Sequence, residues 1–332
     1  MELNLALPRI EPARFLVLGR AGMDLYADPP GTQLEAASQF SAALGGSAGN
    51  IAAGICRLGG AASLLSVLSQ DAVGRFVRGQ LVVYGVGVEH VGWVGGETRT
   101  SLAVVESRAE ECQSVIYRNG AADFALTLAQ VAAVDWAGYG ALIVTGTALA
   151  VEPSRGACLA AMMAARAAGR VVAIDLDYRA YSWGSPAEAA GVMAQAVALS
   201  AIVVGNDVEF GVLAAGGDGL ALARRLPGAI TIYKRGAGGA VTFAGGAVVE
   251  TGIFRVTALK PTGAGDAFLA GFVTGLAGGL ELNECLRRGS CAAAIVVTRV
   301  GCAPASPTAG DLAAFLTAHP EPIRRADAYR SA

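Results

Sequence analysis

The chain of 332 residues is long enough to bury a substantial core as one large α/β domain, with or without a small appendage, and too short for a third full domain. Its net charge of -2 and charged fraction of 16% give no basic field for a phosphate backbone, which excludes nucleic acid as a partner. The apolar fraction is 54%, yet the most apolar runs, 141–151 and 189–204, are interrupted by Gly, Thr, Ser or Gln and fall short of the roughly 20 residues that cross a bilayer, so no membrane segment is expected.

Short apolar runs at 15–19, 62–68, 141–145, 171–175, 201–205 and 229–233 alternate with helical patterns at 47–58, 154–169, 187–199 and 264–276. The alternation predicts an α/β fold, a doubly wound and mostly parallel sheet flanked by helices, with ligands at the carboxyl ends of the strands. Ser154 is expected to cap its helix and Gly169 to close it. Two stretches, about 20–44 and 91–120, break the pattern, and 101–106 with 113–118 reads as a hairpin. Together they predict a small β lid within a single domain, with strands exposed for pairing to a second copy in a homodimer.

Cys56, Cys112, Cys158, Cys285, Cys291 and Cys302 form no CxxC pair, and a chain of this size needs no disulfide staples, so a reduced, cytoplasmic setting is expected. No basic segment leads into an apolar run at the start, so no secretory signal is expected. With only His90 and His319, zinc sites and His-based triads have few ligands or bases. The only lysines, Lys234 and Lys260, flank Gly-rich stretches, where a compact ammonium suits a phosphate or carboxylate. A base composition favouring Arg would leave the same pair.

Four stretches carry candidate chemistry. Gly45-Gly46-Ser47-Ala48-Gly49-Asn50 permits a tight turn against a ligand, with Asn50 able to donate to and accept from sugar hydroxyls; a plain loop before a packing helix has the same composition. Asp175-Leu176-Asp177-Tyr178-Arg179 follows a buried strand and offers a guanidinium for a carboxylate or phosphate, or else a surface ion-pair cluster. Tyr117-Arg118 adds a second anion ligand. Asn206-Asp207-Val208-Glu209 can order water around Mg²⁺ or simply cap a helix. In Pro261-Thr262-Gly263-Ala264-Gly265-Asp266-Ala267-Phe268, expected to follow a strand and open a helix, free amides face an anion and Asp266 can accept a hydroxyl proton; Asp in a first helical turn also caps.

The order Gly45-Gly46-x-x-x-Asn50, Asn206-x-x-Glu209, Gly263-Ala264-Gly265-Asp266 resembles the ribokinase, or PfkB, family of carbohydrate kinases over about 15–311. The resemblance implies a ribokinase-like core with a β lid that closes over a sugar, using ATP and Mg²⁺ with, in some members, a monovalent cation. By position Asp266 matches the catalytic base, Gly263, Ala264 and Gly265 the anion hole, and Asn206 with Glu209 the Mg²⁺ and phosphate motif. Asp24, Gly45, Gly46 and Asn50 match sugar-binding positions. Asn206, Lys234, Gly236, Gly239, Lys260 and Ala293, the last within a 290–307 adenine pocket, fall at the nucleotide.

A narrower likeness rests on Gly19-Arg20-Ala21-Gly22-Met23-Asp24-Leu25, Tyr117-Arg118-Asn119, the 145–150 stretch, and Asp177-Tyr178-Arg179 with Trp183. It is to family members that phosphorylate the 6-hydroxyl of 5-dehydro-2-deoxygluconate in myo-inositol breakdown. It implies that Tyr117, Arg118 and Arg179 face a sugar acid, the arginines supplying cations for a carboxylate that ribose and fructose lack. The nearest alternative substrate is 2-dehydro-3-deoxygluconate. The family's usual Asp-Thr-x-Gly-Ala-Gly-Asp is altered here by Lys260 and Pro261. Pro removes one N–H from the expected anion hole, and Lys260 is expected to replace it or to contact ATP. The alteration also motivates the alternative of a non-catalytic sugar or nucleotide sensor.

Overall fold

The computed structural model describes residues 7–322. Its strands are β1 (Arg14–Leu18), β2 (Gly22–Asp28), β3 (Gln39–Gly45), β4 (Ala61–Ser69), β5 (Val91–Val94), β6 (Leu102–Val105), β7 (Ser114–Tyr117), β8 (Ala141–Thr145), β9 (Val171–Asp175), β10 (Ile202–Asn206), β11 (Ile230–Lys234), β12 (Ala240–Ala244) and β13 (Ala247–Thr251). The helices are α1 (Ser47–Arg57), α2 (Ala72–Val83), α3 (Leu128–Ala132), α4 (Ser154–Ala167), α5 (Pro186–Ala198), α6 (Asp207–Leu213), α7 (Gly219–Arg225), α8 (Ala264–Ala277), α9 (Leu282–Val297) and α10 (Ala309–Ala318).

Nine strands form one sheet in the order β13-β12-β11-β10-β9-β8-β1-β4-β5, parallel from β11 to β5 with β12 and β13 antiparallel at one edge. The central strands read as unbroken apolar runs because both faces are covered. Phe15 and Val17 of β1 pack into the layer with α1, α8 and α9, while Leu16 and Leu18 pack with α4 and α5. The order reverses between β8 and β1, which is where an open α/β sheet leaves a crevice beyond its strand ends.

A second sheet, β3-β2-β6-β7, carries the two stretches that interrupt the βα alternation. One face buries Tyr26, Ala43, Ala103 and Val105; Phe40, Val115 and Tyr117 stay exposed. Residues 91–94, assigned to the inserted element by sequence, instead form β5 at the edge of the large sheet, with Val91 opposite Ser66. They close a β4–α2–β5 crossover, which brings the next strand back beside the first.

Two further expectations are corrected. Ser154 does not cap α4: the N-cap is Pro153 and the Ser154 hydroxyl donates to the Ala148 carbonyl at 2.8 Å, whereas Gly169 does close the helix, with φ 72°. No strand precedes the 261–268 motif either. The amides of Leu259 and Lys260 donate to the Val297 carbonyl at the end of α9, so this backbone is satisfied by a helix terminus and has no sheet neighbour.

Candidate active site

The carboxyl ends of β8 to β11 and the starts of α1 and α8 meet at the crevice. Gly46 is the N-cap of α1 with φ 86°, and a Cβ there would overlap the Arg20 carbonyl oxygen, so the turn requires glycine. The turn sets Asn50 in the first turn of the helix. Its Nδ2 donates to Asp266 Oδ2 at 2.9 Å, joining motifs 216 residues apart.

Asp24 on β2 lies beside Gly45, whose absent side chain leaves room for the carboxylate: a Cβ at 45 would fall inside it. Tyr26 Oη donates to Asp24 Oδ2 at 3.1 Å. Asp24 Oδ1 and Asn50 Oδ1 are buried acceptors with no protein donor. Such orphans are costly in a native fold, and acceptors of this kind match the donors of a polyhydroxylated ligand. Burial raises the pKa of Asp24, with Arg20, Tyr26 and Lys260 working the other way.

Gly263, with φ 83°, is the N-cap of α8, so Ala264, Gly265 and Asp266 are its first three residues and their amides lack intrahelical partners. Pro261 stands two residues before the cap. The N–H it lacks is therefore outside this set, and the expected defect in the anion hole does not arise. A Cβ at Gly265 would come 3.2 Å from Lys234 Nζ, which puts that ammonium beside the helix start and the helix dipole. Lys234 Nζ also lies 3.6 Å from Asp175 Oδ1.

Asp177, at φ 35°, turns back into the site and is tied from three sides. Ser47 Oγ and Thr147 Oγ1 donate to its Oδ2 at 2.7 and 3.0 Å, and Arg179 Nη2 lies 2.9 Å from its Oδ1. The positive φ breaks the strand alternation that the sequence suggested for Asp175, Asp177 and Arg179. They cluster because a tight bend follows β9; Asp175 and Asp177 are buried, while the Arg179 side chain is 44% exposed and carries its ion pair to the surface.

Burial and the Asp177 charge push the Asp266 carboxyl up to about 7, against the hydrogen bond from Asn50. Burial likewise moves Glu209 to about 7, with Lys234 opposing. Burial disfavours the Lys234 ammonium, yet Asp175, Glu209 and Asp266 outweigh it and raise its pKa. An acid titrating near neutrality at the mouth of an amide-lined helix start is the arrangement that general-base transfer to a phosphoryl group needs.

Asn206 and Glu209 form a reciprocal capping box on α6: Asn206 Oδ1 accepts from the Glu209 amide at 3.0 Å and Glu209 Oε2 from the Asn206 amide at 2.7 Å. Both capping atoms are committed, which leaves Glu209 Oε1, 4.0 Å from Arg179 Nη1. Among the described residues no three His, Cys, Asp or Glu side chains converge to ligate a metal directly. A single carboxylate oxygen not used in the capping box fits an ion that keeps most of its water, as Mg²⁺ does.

A model of the pfkB family of carbohydrate kinases matches residues 13–309. The chain belongs to this family. The kinase is 40% identical over 314 residues, 92% of this chain and 95% of the relative, to a 5-dehydro-2-deoxygluconokinase of Photobacterium profundum. Its fold is similar to a fructokinase with bound ATP from Xylella fastidiosa, at TM-score 0.84 and 23% identity over 93% of this chain and 99% of that one. It is also similar to a fructokinase double mutant from Vibrio cholerae O395 in a fructose, ADP and potassium ion bound form, at TM-score 0.82 and 25% identity over 92% and 98%.

Several residues singled out from the kinase's sequence stand differently in three dimensions. Lys260 is fully buried, its Nζ donating to the carbonyls of Thr262 at 2.6 Å and Val296 at 3.4 Å, and burial lowers its pKa. It therefore braces the loop before α8 and does not face a nucleotide. Arg118 is buried against Asp123, to which Nε and Nη2 donate, and Nη1 donates to the Thr147 carbonyl at 3.1 Å. It lines a cavity of ≈ 410 Å³ with Asn119, Glu152 and Tyr181 that none of Asp24, Asn50 or Asp266 borders. Tyr117 is exposed at the end of β7. Gly236 and Gly239 bracket the β11–β12 turn, and Ala293 is half-buried on α9. Ser47 and Thr147, which position Asp177, act on a partner distant in the chain, and Asp123, five residues from Arg118, was not singled out.

Proposed function

We propose that this carbohydrate kinase transfers the γ-phosphate of ATP to the 6-hydroxyl of 5-dehydro-2-deoxy-D-gluconate, a step of myo-inositol degradation, with Asp266 as general base. The observation that carries the reading is the Asp266 carboxyl, hydrogen-bonded to Asn50 and titrating near 7 at the start of α8. Asp24 and Asn50 accept the sugar hydroxyls, Gly45 and Gly46 leave them room, and Tyr117, Arg118 and Arg179 frame the acid end. The amides of Gly263 to Gly265 and the Lys234 ammonium receive negative charge on the transferred phosphoryl. Mg²⁺, held through water by Glu209 and Asn206, would neutralise the nucleotide phosphates, and a monovalent cation belongs to the same proposal.

The identity of the sugar acid follows from the name of the relative at 40% identity. ADP release measured across 5-dehydro-2-deoxygluconate, 2-dehydro-3-deoxygluconate, fructose and ribose tests it. The first is expected to give the highest kcat/KM by at least about tenfold, which is the discrimination that one or two polar contacts supply. A preference for fructose or ribose would overturn the acid reading.

The pH profile follows from the same carboxylate. Asp266 accepts a proton only when ionised, so kcat/KM is expected to rise about tenfold per unit up to about pH 7 and to level off above it. A flat profile between pH 5 and 8 would remove Asp266 as the titrating base. The reduced thiols of six free cysteines, four of them buried, suit a cytoplasmic enzyme, and the exposed Phe40, Val115 and Tyr117 on the small sheet suit a homodimer through that face.

A further inference from the structure

Three guanidinium groups lie within electrostatic reach of the Tyr181 hydroxyl: those of Arg20, Arg179 and Arg118. Two are already neutralised, Arg118 by Asp123 and Arg179 by Asp177. Arg20 differs. It is 8% exposed, and its side chain makes one hydrogen bond among the described residues, from Nη1 to Ser101 Oγ at 3.2 Å, with no ion pair. The Asp24 carboxylate lies within its electrostatic reach but not in ion-pair contact, and a buried guanidinium is rarely left without a directly bonded anion.

The surroundings of Arg20 indicate where that anion sits. Gly22 and Asp24 share one face of β2, and Gly22 is paired with Gly45 on β3. A Cβ at Gly22 would come 3.0 Å from Arg20 Nη1, and one at Gly45 would fall inside the Asp24 carboxylate. The two glycines thus let Ser101 and Arg20 Nη1 pack closely at one position and the Asp24 carboxylate, with its unpartnered Oδ1, at the other. Asn50, whose Oδ1 is likewise unpartnered, donates through Nδ2 to Asp266. The site therefore holds a cation, two unsatisfied acceptors and a base, the groups that a sugar acid's carboxylate, hydroxyls and reacting hydroxyl call for.

We propose that Arg20 is the specificity-determining residue that binds the substrate carboxylate, with Arg118 and Arg179 held as neutral-paired walls of the site. The assignment rests on the sugar-acid reading above. The guanidinium fork offers two parallel N–H donors to a carboxylate and none of the acceptors a neutral sugar would use in its place.

The test compares kcat/KM for 5-dehydro-2-deoxygluconate and its methyl ester, which keeps the hydroxyls and loses the charge. In the wild-type enzyme the acid is preferred. In Arg20→Gln the acid-over-ester preference is expected to fall about 100-fold, the loss typical of removing one partner from a buried charge pair. If the preference of folded Arg20→Gln equals that of wild type, the assignment is wrong while the sugar-acid reading stands. If the wild-type enzyme itself does not prefer the acid, both are wrong. Should Arg20→Gln fail to fold, Arg20→Lys carries the test: it keeps a charge without the fork, and a preference reduced about tenfold supports the assignment whereas a wild-type preference overturns it.

Discussion

Asp266→Asn is expected to lower kcat by about 1,000-fold or more while raising the thermal stability of the enzyme at pH 8. The first effect is the loss of the proton acceptor, for which 10²–10⁴ is the usual range. The second follows from the same burial. The carboxyl is raised from 3.8 to about 7, so the folded state holds its proton more tightly than the unfolded chain does. Stability from this group is present in full below pH 3.8 and is lost as pH rises to about 7. Asn removes the buried charge and still offers an oxygen to Asn50 Nδ2. Melting temperatures at pH 4 and pH 8 should therefore separate, the variant gaining on wild type only at the higher pH. Turnover within tenfold of wild type, or an equal gain at both pH values, would count against the assigned role.

Gly45→Ala is the second large effect expected, and it falls on the sugar rather than on the chemistry. The backbone at 45 is not among the left-handed positions, so alanine is compatible with β3. Its methyl group instead occupies the Asp24 carboxylate position and forces that side chain aside. A displacement of about 1 Å at a substrate-positioning group typically costs about 100-fold, so kcat/KM for the sugar should drop by that order while KM for ATP changes little. Gly46→Ala provides the contrast. There φ is 86° and the methyl group meets the Arg20 carbonyl, so loss of the fold is expected along with activity. Circular dichroism with a thermal melt distinguishes the two, and a Gly45→Ala enzyme with wild-type sugar kinetics would contradict the proposed placement of Asp24.

Much of the site was legible before the fold. Glycine at 45, 46, 263 and 265 marks places where backbone must come close to something, and Asn50 and Asp266 stand next to such places. The Asn206-x-x-Glu209 pattern was read with two meanings, and the structure shows the first: the pair is a capping box, with the second Glu209 oxygen 4.0 Å from Arg179. Lys260 could not be read in this way. An isolated lysine beside a glycine motif looks the same whether it faces a phosphate or, as here, a loop carbonyl and one in the last turn of α9.

What the sequence by itself determined is the layer architecture and the chemistry of the short motifs. Apolar runs of five residues bounded by turns can bury both faces only as central strands, and a residue's type fixes which protons it can give or take. Tertiary structure alone decided which charges are spoken for. Arg179 and Arg118 pair within a few residues, with Asp177 and Asp123, whereas the partner of Lys234, Asp175, is distant in the chain, and the lack of an ion pair for Arg20 among the described residues emerges only in the folded structure. The pKa of Asp266 is set in the same way, by burial and by Asp177 reaching it across the fold, since Coulomb energy depends on distance in space and not along the chain.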